Sequence, residues 1–159
     1  MSGAIHLAEP LFELAVDQHK KGRLRDAATA YARVLTLAPS HAGSHHMMSV
    51  LARQAGQNEL ALEGLRRAIA SAPREPQYRE DLLDLLHTLK HTAEAAACLR
   101  EMCVLWPDRA DLHARRGTAL REAGQNHEAV DALRIAVGLD PDDADAQCQL
   151  GLGLLGLGE

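Results

Sequence analysis

Two pairs of histidines with four-residue spacing come closest to a chemical site in this sequence. They are His41 with His45 and His87 with His91. On one helix, such a spacing can bring two imidazoles to a single metal ion such as zinc. Each pair, however, falls across a turn that the sequence predicts, and no carboxylate or third histidine lies at an obvious ligand offset. We therefore predict no metal site and no cofactor.

Catalytic motifs are missing from the sequence as well. It contains no phosphate-binding loop, no Gly-x-Ser-x-Gly segment, no metalloprotease histidine pair and no cysteine–histidine dyad with an orienting group. Aspartates and glutamates are plentiful on helical surfaces, and their presence alone does not make an acid–base pair. We therefore expect that the chain is not an enzyme. A catalytic domain downstream of this segment stays compatible with that expectation.

The composition favours helices and gives no sign of nucleic-acid binding. Hydrophobic residues make up 47% of the chain but aromatic residues only 3%, so the core must consist mainly of leucine, alanine and valine. Alanine and leucine are strong helix formers, whereas strands are rich in β-branched and aromatic residues. The net charge of −5 provides no overall basic field that would attract nucleic acid.

The cysteines and the hydropathy pattern indicate a cytoplasmic protein. Cys98, Cys103 and Cys148 form an odd set without the spacing of a disulfide framework, which is typical of thiols in a reducing compartment. The N-terminus lacks a basic segment followed by an apolar run, and no stretch reaches the roughly 18 apolar residues of a membrane span. We expect no membrane association.

A period of 34 residues organises almost the whole chain. Self-similarity at such a period is the mark of stacked supersecondary units. Glycines keep the same register, except that Lys90 occupies one of their places. The residues in phase are Pro39, Pro73, Pro107 and Pro141; Ala27, Ala61, Ala95 and Ala129; and Gly22, Gly56, Gly124 and Gly158.

Each period contains two helical segments. In the first, Leu11, Leu14 and Ala15 follow the spacing of one helical face. Gly22 then offers the left-handed conformation that ends a helix at little cost. A second amphipathic stretch follows, and Pro39 prevents its continuation. The sequence therefore predicts an all-α array of antiparallel helix pairs.

The pattern resembles the tetratricopeptide repeat, which has small residues at its eighth and twentieth places and proline at its thirty-second. The resemblance covers residues 8–159 as about four and a half repeats, 8–41, 42–75, 76–109, 110–143 and 144–159, after a leader of residues 1–7. It implies a right-handed superhelical solenoid whose first helices line a concave groove for peptides or partner domains. The eighth places hold Ala15, Ser49, Leu83, Gly117 and Gly151.

The third repeat departs from this pattern twice. Leu83 replaces the small residue, and Lys90 replaces the turn glycine. A residue with a side chain pays about 1–2 kcal/mol for the left-handed conformation. Local repacking, with the room supplied by the alanines at positions 95–97, is one interpretation. A hinge at residues 90–92 is the other.

The resemblance also assigns the groove. Residues at its lining places are Phe12, Val16, His19, His46, Val50, Arg53, Glu80, Asp84, His87 and Arg121. The family's clamp for chaperone C-termini needs lysine and asparagine where Phe12 and Val16 stand, so that function is not expected. The asparagine ladder of the O-linked N-acetylglucosamine transferases is missing too.

We therefore expect a protein-interaction module that binds a peptide or partner domain, as the N-terminal arm of a larger bacterial protein. The alternative is a free-standing adaptor or a self-assembling scaffold. For that alternative, the leucine-rich segment near the C-terminus is the expected contact surface, because an apolar stripe without a covering helix is a liability or an interface. Its leading residues are Leu150, Leu154 and Leu157.

Overall fold

The structure is a computed structural model that describes residues 2–158, with side chains from Leu7 onwards. Over this range the chain forms nine α-helices and no strand. They are α1 (Ser2–Lys20), α2 (Leu24–Leu37), α3 (Ala42–Gln54), α4 (Asn58–Ser71), α5 (Pro76–Thr88), α6 (Thr92–Leu105), α7 (Ala110–Glu122), α8 (Asn126–Leu139) and α9 (Ala144–Leu157). Helix α1 begins at Ser2, ahead of the first repeat as the sequence divides it. The repeat boundaries stay a prediction.

The turn inside each helix pair is closed by one residue in the left-handed conformation. Gly22, Gly56 and Gly124 have φ angles of 74°, 72° and 76°. Lys90 adopts the same conformation with φ 59°, as its place in the repeat predicts. In the first turn, Gly22 N–H donates to His19 O at 2.9 Å and thereby satisfies a carbonyl at the end of α1. The hinge at residues 90–92 stays a hypothesis.

The turn between successive repeats is held by a side chain at the fourth place of the next repeat. His45 Nε2 donates to Pro39 O at 2.8 Å, and His113 Nε2 donates to Pro107 O at 3.0 Å. The same bond recurs with other donors at the remaining turns. It joins Arg79 to Pro73 O and, at 2.6 Å, Gln147 to Pro141 O. Each bond satisfies a carbonyl in a turn that contains proline and so lacks one backbone donor.

We expect His113→Ala to lower the free energy of unfolding by about 1–3 kcal/mol, because it removes a largely buried donor and leaves the Pro107 carbonyl without it. His113→Gln should recover part of the loss, since Gln147 makes the equivalent bond. Urea denaturation followed by circular dichroism measures both. His127→Ala, at an exposed histidine of α8, is the control. Equal stability of the His113→Ala and His127→Ala variants would contradict the assignment.

The helices form two compact units, Met1–Leu85 and Leu86–Glu159. In the first unit α1 packs against α2, α2 against α3, and α3 against α4. In the second unit α6 packs against α7, α7 against α8, and α9 against both α7 and α8. Helix α5 spans the division, and Leu83 within it is fully buried.

Small residues lie where paired helices approach most closely, as the repeat pattern predicts. Ala15 and Ala27 are fully buried in the first unit, and Tyr31 joins them in one apolar cluster. Gly117 and Ala129 hold the equivalent places in the second unit, where Leu133 is also fully buried. In the described part of the chain, no helix is both long and apolar enough to cross a membrane.

Candidate functional site

The predicted groove residues of the first unit lie on the first helix of each repeat. These helices are α1, α3 and the part of α5 up to Leu85. We call this surface the first-helix face. His87 and Arg121, the other two predicted residues, belong to the second unit. The residues of the first-helix face are Phe12, Val16 and His19 on α1, His46, Val50 and Arg53 on α3, and Glu80 and Asp84 on α5.

Phe12 packs between the first two repeats. Its ring centroid lies 5.7 Å from that of Tyr31 and 4.7 Å from that of His41, both in tilted geometry. A Cβ atom added to Gly43 would come within 2.9 Å of Phe12 Cζ. The absence of a side chain at position 43 therefore allows the ring to lie directly on the start of α3, which leaves Phe12 half-buried.

The other predicted residues of α1 are also partly used in packing. Val16 packs against the cluster of Ala15, Ala27 and Tyr31. The His19 ring meets Tyr31 edge-on, with 6.3 Å between centroids. Both side chains are half-buried. At α1 the first-helix face is therefore apolar and only partly open to a ligand.

A polar pair that the sequence analysis missed joins α3 to α5. His46 Nε2 lies 2.5 Å from Asp81 Oδ2, and the His46 ring is 4.8 Å from the ring of Tyr78. Gln77 donates to the other Asp81 oxygen at 2.8 Å. Burial, helped by the negative charge of Glu75, raises the pKa of the Tyr78 hydroxyl. His46 is thus already engaged by the protein itself.

A simple signal would have found this pair. His46 occupies the fifth place of the second repeat and Asp81 the sixth place of the third. Two residues that are 35 positions apart, one period plus one residue, therefore contact each other across the first helices of neighbouring repeats. Arg121 shows a related contact in the second unit, since its Nε donates to Gln149 Oε1 at 3.0 Å. Gln149 again lies at a sixth place.

The accessible part of the first-helix face is formed by Val50, Arg53 and Asp84. Arg53 and Asp84 are exposed, and Val50 beside Arg53 is half-buried. Glu80 is half-buried as well. In the second unit His87 is exposed and Arg121 half-buried. The structure thus places a half-buried valine and an exposed arginine next to each other on α3.

One histidine of each pair, His41 or His91, lies directly before a helix. The His41 Nδ1 accepts from Ser44 N–H at 3.0 Å and caps α3, while its Nε2 lies 3.3 Å from Glu9 Oε1. His91 Nδ1 lies 3.4 Å from Glu94. Among the residues that the structure describes, no three His, Cys, Asp or Glu side chains form a group that could hold a metal.

The leucines expected to mediate self-association are only partly accessible. Leu150, Leu154 and Leu157 are half-buried. The exposed leucines of α9 are Leu152 and Leu155, with 45% and 72% of their surface accessible. An association surface on α9 would therefore present Leu152 and Leu155 first.

The sequence pattern of the tetratricopeptide repeat matches residues 6–151 of this chain. The chain belongs to the tetratricopeptide repeat family. The predicted fold class, an all-α solenoid of tetratricopeptide helix pairs, is confirmed. No curated protein matches the sequence.

Solved structures of tetratricopeptide proteins share this fold. YrrB has 20% identity and a TM-score of 0.72, with 93% of this chain and 76% of YrrB covered. MamA has 18% identity and a TM-score of 0.70, with 99% of this chain and 85% of MamA covered. PilF of Pseudomonas aeruginosa has 20% identity and a TM-score of 0.64, with 96% of this chain and 70% of PilF covered. At these identities the likeness concerns the fold alone.

Proposed function

We propose that this chain is a protein-interaction module that binds a peptide segment of a partner on the first-helix face. The observation that carries the proposal is the pairing of half-buried Val50 with exposed Arg53 on α3. Together they offer an apolar contact next to a positive charge. Tetratricopeptide repeats are interaction modules rather than catalytic domains, and YrrB is described as having an unusual peptide-binding site.

The chemistry of the face indicates the kind of peptide. An apolar side chain would pack on Val50, and a neighbouring carboxylate would pair with Arg53, whose planar guanidinium suits bidentate binding. Asp84 adds a negative charge on α5. The expected ligand therefore has mixed charge around an apolar residue.

Selection from a displayed library of random peptides against the full chain tests this proposal. Selected peptides should lose affinity about tenfold or more on Arg53→Glu or Val50→Ser, as expected for residues at the centre of an interface. Arg134→Glu, at an exposed arginine of α8, is the matched control and should bind normally. Selected peptides that bind the Arg53→Glu and Val50→Ser variants as tightly as the original chain would refute the first-helix face as the site.

The proposal also covers where the module acts and which larger protein it belongs to. The module would act in the cytoplasm, where Cys98, Cys103 and Cys148, all free thiols, stay reduced. It would form the N-terminal arm of a larger bacterial protein. The alternative, a free-standing or self-assembling scaffold, is favoured by the exposure of Leu155 on α9. A monomer in light scattering at high protein concentration would exclude self-assembly.

A further inference from the structure

A second surface of the first unit is a cleft of about 570 Å³ between α2 and α4. Its floor is α3 from His45 to Gln54, and its walls are α2, from Leu24 to Leu35, and α4, up to Arg67. We call it the second-helix cleft. The apolar side chains that line it are Leu24, Ala28 and Leu35 on α2, Met48, Leu51 and Ala52 on α3, Ala55 directly after α3, and Leu60 on α4.

The cleft is separate from the first-helix face, because α3 has two different sides. His46, Val50 and Arg53 follow one another at four and three residues and so share one side of the helix. Met48, Ala52 and Ala55 share the opposite side and line the cleft. A ligand in the cleft would thus leave the first-helix face free.

The apolar walls are not required by the fold. Leu24 and Leu60 remain 42% and 56% exposed, one on each wall. The second unit has a cleft of about 800 Å³ at the equivalent place, two periods further along the chain. There the places of Leu24, Met48 and Leu60 are held by Thr92, Arg116 and Glu128. The same repeat thus forms with polar residues at these places. Met48 also packs against the buried cluster of Ala15, Ala27 and Tyr31, but Leu24 and Leu60 remain exposed, so the fold does not require their apolar side chains.

The charges around the second-helix cleft favour a negatively charged ligand. Arg25 lines the cleft and has no ion-pair partner among the described residues. Arg67 on the other wall is paired with Glu63 at 2.5 Å. The two repeats that form the cleft carry nine basic and seven acidic residues, whereas the whole chain has a net charge of −5. The cleft therefore lies in the basic part of an acidic protein.

We propose that the second-helix cleft docks an amphipathic helix of a partner protein, with leucine-like side chains on its buried side and an acidic residue facing Arg25. A groove between two helices that is lined by apolar side chains suits the helix-in-groove mode, which is read by anchors at i, i+3, i+4 and i+7. An extended peptide fits less well. The cleft walls are helices whose backbone groups are bonded internally, so they offer no edge for an added strand.

Fluorescence anisotropy of the full chain with labelled helical peptides tests the proposal. The probe carries leucines at i, i+3, i+4 and i+7 with glutamates at the flanks. One comparison peptide has lysines in place of the glutamates, and another has serines in place of the leucines. We expect the glutamate peptide to bind at least about tenfold more tightly than either comparison peptide, because each comparison peptide lacks contacts at the centre of the interface.

Substitutions then locate the site. Leu60→Glu and Met48→Arg introduce the residues found at the equivalent places of the second unit, Glu128 and Arg116. Each should weaken the binding of the glutamate peptide about tenfold or more. In Arg25→Glu the glutamate peptide should no longer bind more tightly than the lysine peptide. Glu128→Gln and Arg53→Glu are the controls and should bind it normally. Since Leu60 is exposed, its variant should fold, which circular dichroism checks.

Four binding results would overturn the proposal. They are no binding of the glutamate peptide, equal binding of the lysine peptide, unchanged binding by Leu60→Glu, and loss of binding on Arg53→Glu. The last would move the peptide to the first-helix face. If sedimentation showed that the original chain is a dimer and Leu60→Glu a monomer, the cleft would be a contact between two copies of the chain, which also contradicts a partner helix as occupant.

Discussion

Replacing Leu133 with alanine is expected to lower the free energy of unfolding by about 2–5 kcal/mol. Leu133 is fully buried on α8 and lies against Gly117 of α7. Removing its side chain leaves a cavity at the closest approach of this helix pair. Urea denaturation followed by circular dichroism measures the change. A loss below 1 kcal/mol, on the order of an exposed substitution, would contradict the packing.

Gly117→Ala tests the same contact from the other side. An added Cβ would overlap with Leu133 Cγ and lie 3.1 Å from Ala129 O, and such overpacking costs about 1–3 kcal/mol. In a Leu133→Ala background the overlap is gone, so the cost of Gly117→Ala should largely disappear. Gly138→Ala is the control, because no atom of the part of the chain that the structure describes lies within 4 Å of its added Cβ. It should stabilise α8 by about 0.5–1 kcal/mol. Additive effects of Gly117→Ala and Leu133→Ala would contradict direct contact.

Replacing Tyr31 with alanine is expected to cost about 3–5 kcal/mol, the usual range for a large buried aromatic residue. Tyr31 is fully buried and lies in ring contact with Phe12 and His19. Tyr31→Phe is the matched control. The hydroxyl is buried without a hydrogen-bond partner among the described residues, so its removal should leave the stability unchanged or raise it by about 1–3 kcal/mol. A marked loss of stability in Tyr31→Phe would mean that the hydroxyl is bonded.

The same pair of proteins should differ at high pH. Burial raises the pKa of Tyr31 above its ordinary value of 10.0, so the unfolded chain releases this proton before the folded chain does. The contribution of Tyr31 to stability is therefore complete below pH 10 and is lost as the pH rises through the pKa of the folded state. The stability difference between Tyr31→Phe and the original chain should grow above pH 10. Parallel pH profiles of the two proteins would contradict this.

The fold could be predicted because residues of the same type recur at the helix contacts of successive repeats. Ala15 with Ala27 and Gly117 with Ala129 lie at the predicted helix contacts. Lys90 takes the left-handed conformation of the glycines whose place it occupies. The turn bonds were missed because their place holds histidine, arginine and glutamine in turn. These residues share only a side-chain donor, and a search for repeated residue types does not detect that.

The candidate site was predicted less completely, because a repeat place fixes a helix side but not the contacts made there. Phe12 lies on α1 at a groove place, yet it packs on α3 because Gly43 has no side chain. His46 is held by Asp81, which the repeat pattern assigned no role. Leu152 and Leu155 are more exposed than the three leucines expected, since the packing of α9 against α7 and α8 decides which side remains open.

NMR can show whether this tetratricopeptide chain binds peptides on its first-helix face. Amide shifts of the labelled full chain would be recorded with a peptide selected from a random library. We expect shifts that are concentrated on α1 and α3, around Val16, Val50 and Arg53, and that vanish in Arg53→Glu. Shifts confined to α2 and α4, or to α9, or unchanged in Arg53→Glu, would contradict it.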